Sequence, residues 1–188
     1  MFKVKNNSDI PKLVILDRDG VINHVPVPPN RYIMNKSELV LCQGFKSFVA
    51  NLTPSNSKLV VATNQQGVGK AMITADDLAG IHSQINLELS LLNLKNISKF
   101  YVCDHLEDDN CLCRKPKPGM ILNAIEEFGF SKSEAIFIGD KETDREAGLA
   151  AGIRFIKVKC SCHDQKFEQN DAIDIALLNL RRIGDTNE

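Results

Sequence analysis

Leu13-Val14-Ile15-Leu16-Asp17-Arg18-Asp19-Gly20 is the stretch on which the fold turns. Four apolar residues in a row, with β-branched members and no polar alternation, predict a strand covered on both faces. The run then stops abruptly at Asp-Arg-Asp-Gly, so the polar residues leave the strand at one end and face something other than core. Outward from it, runs of the same kind recur at Leu59-Val60-Val61-Ala62, Phe100-Tyr101-Val102, Ile136-Phe137-Ile138 and Ile153 to Val158. Between them apolar residues return at helical spacing, as in Phe45, Phe48, Val49 and Leu52, or Leu78, Ile81, Ile85, Leu89 and Leu92. Strand and helix alternate, and the strands are apolar on both faces. That pattern predicts an α/β fold of three layers, a doubly wound parallel sheet between helices joined by right-handed crossovers. Ligands of such sheets bind at the carboxyl ends of the strands.

The 188 residues, 43% hydrophobic and 25% charged, suffice for one core, and a single domain over 1–188 is expected. Lysine plus arginine (23) nearly balance aspartate plus glutamate (24), which argues against a nucleic-acid or anionic-membrane partner held by overall charge. Residues 1–11 are too polar for a secretion signal, and no run approaches the ~20 apolar residues of a membrane span. A cytoplasmic monomer acting on a small molecule is the expectation. Six cysteines in such a chain suggest metal ligands or buried thiols before disulfides.

Three polar clusters converge on the predicted rim: Asp17-Arg18-Asp19-Gly20, Thr63-Asn64-Gln65 and Gly139-Asp140-Lys141, with Arg114-Lys115 in the loop after the third strand. The carboxylate of Asp17, the backbone carbonyl of Asp19 and Asp140 make an oxygen set suited to Mg²⁺. The ion, Lys115 and the Thr63 hydroxyl would then surround the oxygens of a phosphoryl group. Asp17 is a workable nucleophile beside them, and Asp19 can protonate the leaving group. One aspartate at a strand end more often caps a helix than does chemistry. Four clusters in one structural context reverse that preference.

Cys103, His105, Cys111 and Cys113 supply three sulfurs and an imidazole within eleven residues, a set suited to a closed, structural zinc site. The loop they bracket, Asp108-Asp109-Asn110, has no apolar side chain to pack, so a metal clamp would fix its shape. Arg114 and Lys115 follow the last ligand directly. A second cluster, Cys160, Cys162 and His163, offers too few ligands and is taken as incidental thiols, and Cys42 as a small buried residue.

Leu16 to Asn23, Ala62 to Gly67, Cys113 to Met120 and Ile138 to Lys141 together resemble the haloacid dehalogenase superfamily of phosphatases, in the branch of the heptose-1,7-bisphosphate and histidinol-phosphate phosphatases. The resemblance runs over about residues 12–160. It implies an aspartyl-phosphate on Asp17, Asp19 as acid and then base, and Mg²⁺ on Asp17, the Asp19 carbonyl and Asp140. It also implies that Thr63, Arg114 and Lys115 grip the phosphoryl group, with Asn64, Gln65 and Lys141 beside it, and that a structural zinc sits in the cysteine loop. Asp144 matches the second acidic position of the last motif, where it orients Lys141 or nearby backbone.

The spacing between motifs leaves no room for a cap domain, so the entrance is open. Specificity is then drawn from the Val25 to Arg31 loop, the Gln65 to Lys70 turn and the zinc loop, with Lys70, Arg31 or Lys117 as candidate cations for a second phosphate. Lys70-Ala71 stands where heptose-bisphosphate phosphatases usually carry Arg-Gly, whereas Met120 and the Ile81-His82 helix suit that branch. A heptose bisphosphate is the preferred substrate, histidinol phosphate the alternative. A nucleic-acid 3′-phosphatase and a non-catalytic phosphate-binding module stand further off, the first for want of a basic stripe and the second because no catalytic carboxylate is missing.

Overall fold

The computed structural model describes residues 11–25, 32–53 and 55–158. Strands β1 (Leu13–Leu16), β2 (Lys58–Asn64), β3 (Lys99–Cys103), β4 (Ala135–Gly139) and β5 (Arg154–Lys157) form one parallel sheet in the order β3-β2-β1-β4-β5. The first strand is the central one, and the chain winds away from it in both directions. Its register sets Leu16 level with Val61 of β2 and Ile138 of β4, and β4 runs on to Gly139 and β2 to Asn64. Asp17 and Asp140, just past the ends of β1 and β4, and Thr63-Asn64, which close β2, therefore meet at one rim, beside the point where the winding reverses.

Helices α1 (Gln43–Leu52), α2 (Gln66–Gly69), α3 (Ala75–Leu91), α4 (Gly119–Phe128) and α5 (Glu142–Ala151) complete the layers. The period-2 alternation of a strand assigns the two faces. Val14, Leu16, Leu59, Val61, Ile136 and Ile138 pack with Phe45, Phe48 and Leu52 of α1 and Leu78, Ile81, Ile85 and Leu89 of α3. Leu13, Ile15, Val60, Ala62 and Phe137 pack on the other side with Met120, Ile121, Ala124 and Ile125 of α4 and Ala147 and Ala151 of α5. Each fully buried aliphatic or aromatic side chain contributes roughly 1.5–3 kcal/mol of burial, set against the chain entropy it loses.

Local chemistry fixes the helix ends. Thr74 and Asp77 form a capping box at the start of α3, and Gly129 and Gly152 end α4 and α5 in the left-handed region, at φ 68° and 73°. Leu92, counted above in the apolar stripe, lies just past α3 and is exposed. His82 of α3 is buried and stacks on Phe100, ring centroids 4.1 Å apart and nearly parallel. Burial, then the charge of Arg18, push its pKa down to about 3, so the imidazole is neutral at neutral pH.

Between β1 and α1 the described residues hold only a 3₁₀ turn at Lys36–Glu38, and between β3 and α4 a second at Glu107–Asp109. No cap domain is inserted at either place among the described residues. No helix among them is long and apolar enough to cross a membrane. Residues 26–31, and with them Arg31 and most of the expected specificity loop, lie outside the described residues, as do Cys160, Cys162 and His163.

Candidate active site

At the centre of the rim Asp17 and Asp144 share one cation. Lys115 Nζ lies 2.8 Å from Asp17 Oδ1 and 2.6 Å from Asp144 Oδ1, and donates its third hydrogen bond to the carbonyl of Ala62 at 2.9 Å. All three groups are buried, and Phe137 lies under the ammonium. Desolvation works against the charge on Lys115, but Asp17 and Asp144 outweigh it and hold the pKa above its ordinary value. Asp144 Oδ2 also accepts the backbone N–H of Lys141 at 3.0 Å. Its carboxylate fills the space above Gly139, where a Cβ would collide with it, so a side chain at that position would displace the pair.

Asp17, Asp140 and Asp144 bring carboxylate oxygens within 4.8 Å of one another. Against three acids stand buried Lys115 and half-exposed Lys141, whose Nζ is 3.8 Å from Asp17 and 3.9 Å from Asp140. The cluster is short of positive charge. Burial first, then Asp17 and Asp144 against the pull of Lys141, raise the pKa of Asp140 to about 6. Burial also leads the causes that raise Asp17, with Lys115 opposing it. Gly20, at φ +92°, makes the turn that lets the first loop lie against Asp140, and a Cβ there would strike that carboxylate.

Asp19 turns away from this cluster. Its carboxylate accepts Arg18 Nε at 3.0 Å and Nη2 at 2.8 Å, Asn23 Nδ2 at 2.9 Å and Gln65 Nε2 at 2.9 Å. Burial alone would raise its pKa, but the charge of Arg18 and the hydrogen bonds from Asn23, Gln65 and Arg18 prevail and lower it. Gln65 Nε2 also donates to Thr63 Oγ1 at 2.8 Å, which leaves the threonine's own proton available to another acceptor.

Two residues expected beside the phosphoryl group are occupied with positioning. The side-chain amide of Asn64 donates to the carbonyl of Lys115 and accepts its N–H, both at 3.0 Å, so both its ends are used on the backbone that carries the lysine. Gln65 is spent on Asp19 and Thr63. Arg114 stands at the outer rim, 3.4 Å from Gln66 Oε1 and 3.5 Å from the carbonyl of His105. Lys117 is held by the carbonyls of Asn110 and Cys111 at 2.9 and 2.7 Å, which leaves exposed Lys70 as the described candidate for a second phosphate.

The cysteine loop gathers Cys103 Sγ, His105 Nδ1, Cys111 Sγ and Cys113 Sγ. Cys103 lies 3.6 Å from Cys111 and 3.7 Å from His105, and Cys113 lies 3.4 Å from Cys111 and 3.3 Å from His105. A tetrahedron with Zn–S near 2.3 Å has edges of about 3.6–3.8 Å, close to this spread. The N–H of Arg114 points at Cys111 Sγ from 3.4 Å, a contact that supports a thiolate. Cys103 is the buried anchor, and the loop ends on Arg114 and Lys115.

Residues 27–158 match the family model described as haloacid dehalogenase-like hydrolase. The chain belongs to the haloacid dehalogenase-like hydrolases. Among relatives, it is 37% identical over 141 residues to the D-glycero-beta-D-manno-heptose-1,7-bisphosphate 7-phosphatase of Neisseria meningitidis serogroup A, covering 75% of this chain and 73% of that protein. It is also 37% identical over 142 residues to the D-glycero-alpha-D-manno-heptose-1,7-bisphosphate 7-phosphatase of Campylobacter jejuni, covering 76% and 78%. A crystal structure of D,D-heptose 1,7-bisphosphate phosphatase from B. bronchiseptica, complexed with magnesium and phosphate, superposes with a TM-score of 0.77 at 27% identity, over 91% of this chain and 99% of that one.

In this haloacid dehalogenase-like hydrolase the donor sets fit the two metals differently. Among the described residues, Asp140 Oδ1 is buried and accepts no hydrogen bond, and the ion partner of Asp17 Oδ2 is distant Lys141, so two hard oxygens stand open to a small divalent cation. Asp144 is already committed to Lys115 and the backbone. The cysteine loop instead offers a closed soft set of four with no open position. Arg18 and Asn23, which hold Asp19, were not singled out by the motifs. A usable signal was the parity of Arg18 with Val14 and Leu16, which turns it inward.

Proposed function

We propose that the chain removes the 7-phosphate from a D-glycero-D-manno-heptose 1,7-bisphosphate through an aspartyl-phosphate on Asp17. The observation that carries the chemistry is the buried Asp17 carboxylate, paired to Lys115 and set against Asp140. The 37% identity to two proteins named for that substrate supports the sugar.

In this reading an oxygen of Asp17 attacks phosphorus in line with the leaving oxygen, and the bond between phosphorus and the sugar oxygen breaks. Asp19 passes its proton to the departing oxygen. It then takes a proton from water, which attacks phosphorus and breaks the bond to Asp17. Lys115 acts on the non-bridging oxygens through its charge, its three protons being held by Asp17, Asp144 and Ala62, and the freed proton of Thr63, Lys141 and Arg114 bear on them as donors, while Asn64 and Gln65 keep Lys115 and Thr63 in place. Asp17, the Asp19 carbonyl and Asp140 would hold Mg²⁺, which supplies neutralisation of the charge that gathers on those oxygens. Cys103, His105, Cys111 and Cys113 would hold zinc as a structural clamp that sets the loop carrying Arg114 and Lys115. The whole chain acts as one catalytic unit.

The test is phosphate release from heptose 1,7-bisphosphate in both anomers, histidinol phosphate and a 3′-phosphorylated oligonucleotide. The expected result is the highest kcat/KM on a heptose bisphosphate, by at least about tenfold. Because the two relatives carry opposite anomers in their names at equal identity, both must be offered. Preference for histidinol phosphate or for the oligonucleotide overturns the substrate while leaving the chemistry of Asp17 standing.

A further inference from the structure

Arg18 leads the fully buried side chains by volume, at 1% exposure, yet it lies outside the sheet, in the turn between Asp17 and Asp19. Its carbonyl accepts the N–H groups of Val21, Ile22 and Asn23 at 3.3, 2.8 and 3.2 Å, so the loop winds around it. Its guanidinium forks onto the neighbouring carboxylate, reaching Asp19 Oδ1 through Nε and Nη2, and Oδ2 through Nη2 at 2.8 Å. With Asn23 and Gln65 added, three side chains make five contacts to a group with about four lone-pair sites. Burying a guanidinium costs several kcal/mol, and among the described residues Nη1 finds no hydrogen-bond partner, nor does Nε2 of nearby His82. Stability is a poor reason to keep such a residue. Its effect on Asp19 is a better one.

We propose that Arg18 is a positioning residue for the acid/base step, a buried fork that fixes the Asp19 carboxylate beside the reacting phosphoryl group. The inference rests on the phosphatase reading above. An acid serving an alkoxide must stand within about 3 Å of the departing oxygen, and a displacement of about 1 Å can cost about 100-fold. Asp19 lies on a loop, where an untethered carboxylate would sample several rotamers. Gln65 joins the same carboxylate to Thr63 Oγ1, so acid and phosphate-facing hydroxyl share one frame. When Asp19 carries its proton one amide donor must give way, and the fork of Arg18 holds the carboxylate while it does.

The experiment is a double-mutant cycle with Arg18→Met, Arg18→Lys and Asp19→Asn, assayed with Mg²⁺ on an alkyl phosphate, the sugar bisphosphate, and on p-nitrophenyl phosphate, whose leaving group needs no proton. Arg18→Met is expected to lower kcat on the alkyl ester about 10- to 100-fold with KM within about twofold, and to lose less on the nitrophenyl ester. Arg18→Lys should recover part of the loss. Placed in the Asp19→Asn background, Arg18→Met should cost no more than about twofold further, since its route of action is already gone. Equal losses on both esters, a raised KM with kcat kept, or a full additional loss beside Asp19→Asn each overturn the inference. If the methionine variant does not fold, Arg18→Lys carries the same cycle. An Asp19→Asn enzyme with undiminished kcat on the alkyl ester removes both this inference and the acid/base reading; a crippled Asp19→Asn enzyme with additive Arg18 loss removes this inference alone.

Discussion

Asp17→Asn is expected to lower phosphate release from every ester by roughly four orders of magnitude or more, because the amide offers no anionic oxygen to phosphorus. The fold should survive the change. Burial, opposed by Lys115 and reinforced by Asp144, raises the Asp17 pKa above its ordinary value of 3.8. A carboxyl raised in the folded state contributes stability that is complete below the unfolded pKa and is lost as pH rises through the folded one. At neutral pH the ionised group is therefore a cost in the metal-free protein, and the neutral amide removes it. Lys115 keeps Asp144 and the carbonyl of Ala62 as partners. Thermal melting of the metal-free variant should thus match or exceed that of the parent, while its turnover is gone. A melting point lowered in step with activity would mean that Asp17 is structural.

Substituting Cys111→Ser, or stripping the zinc proposed for this loop, should have the next largest effect, and it should fall on binding as well as on stability. Cys111 sits between Cys103 and Cys113 and receives the N–H of Arg114, so its loss loosens both the clamp and the residue that follows it. Zinc in a closed four-ligand site contributes directly to folding. We expect a loss of at least about 2 kcal/mol, or about 4–8 °C in melting temperature for a chain of this size. KM for the phosphate ester should rise about tenfold or more as Arg114 and Lys115 lose their frame. Metal analysis should return one tightly held zinc per chain. Unchanged melting and KM after complete removal would separate the cysteine loop from the active site.

Much of this architecture is legible in the residue order. Leu13 to Leu16 announce a central strand because nothing polar interrupts them, and the register that follows makes Asp17, Thr63 and Asp140 neighbours. The cysteine loop is equally plain, since four candidate ligands fall within eleven residues. What spacing does not convey is the use of a side chain by backbone far away in sequence. Asn64 lies between two expected phosphate ligands, yet its amide is consumed by Lys115, 51 residues on. Asp144 is four residues from Asp140 and reads as a support for Lys141, which it is through the backbone, but its other oxygen meets Lys115. The parity of Arg18 with Val14 and Leu16 is there in the sequence, but its complete burial emerges only when the first loop closes around its carbonyl.

The central claim, covalent catalysis by Asp17, is tested most directly by trapping the intermediate. Enzyme mixed with excess heptose bisphosphate and Mg²⁺ is quenched in acid within a single turnover, digested, and its peptides weighed. A hydroxylamine-labile phosphoryl group is expected on the peptide carrying Asp17, absent from Asp17→Asn, and accumulating in Asp19→Asn when p-nitrophenyl phosphate, whose leaving group needs no acid, is the donor and only the second step lacks its base. A phosphoryl group on another residue, or inversion of configuration at phosphorus with no labelled peptide at any quench time, would contradict it.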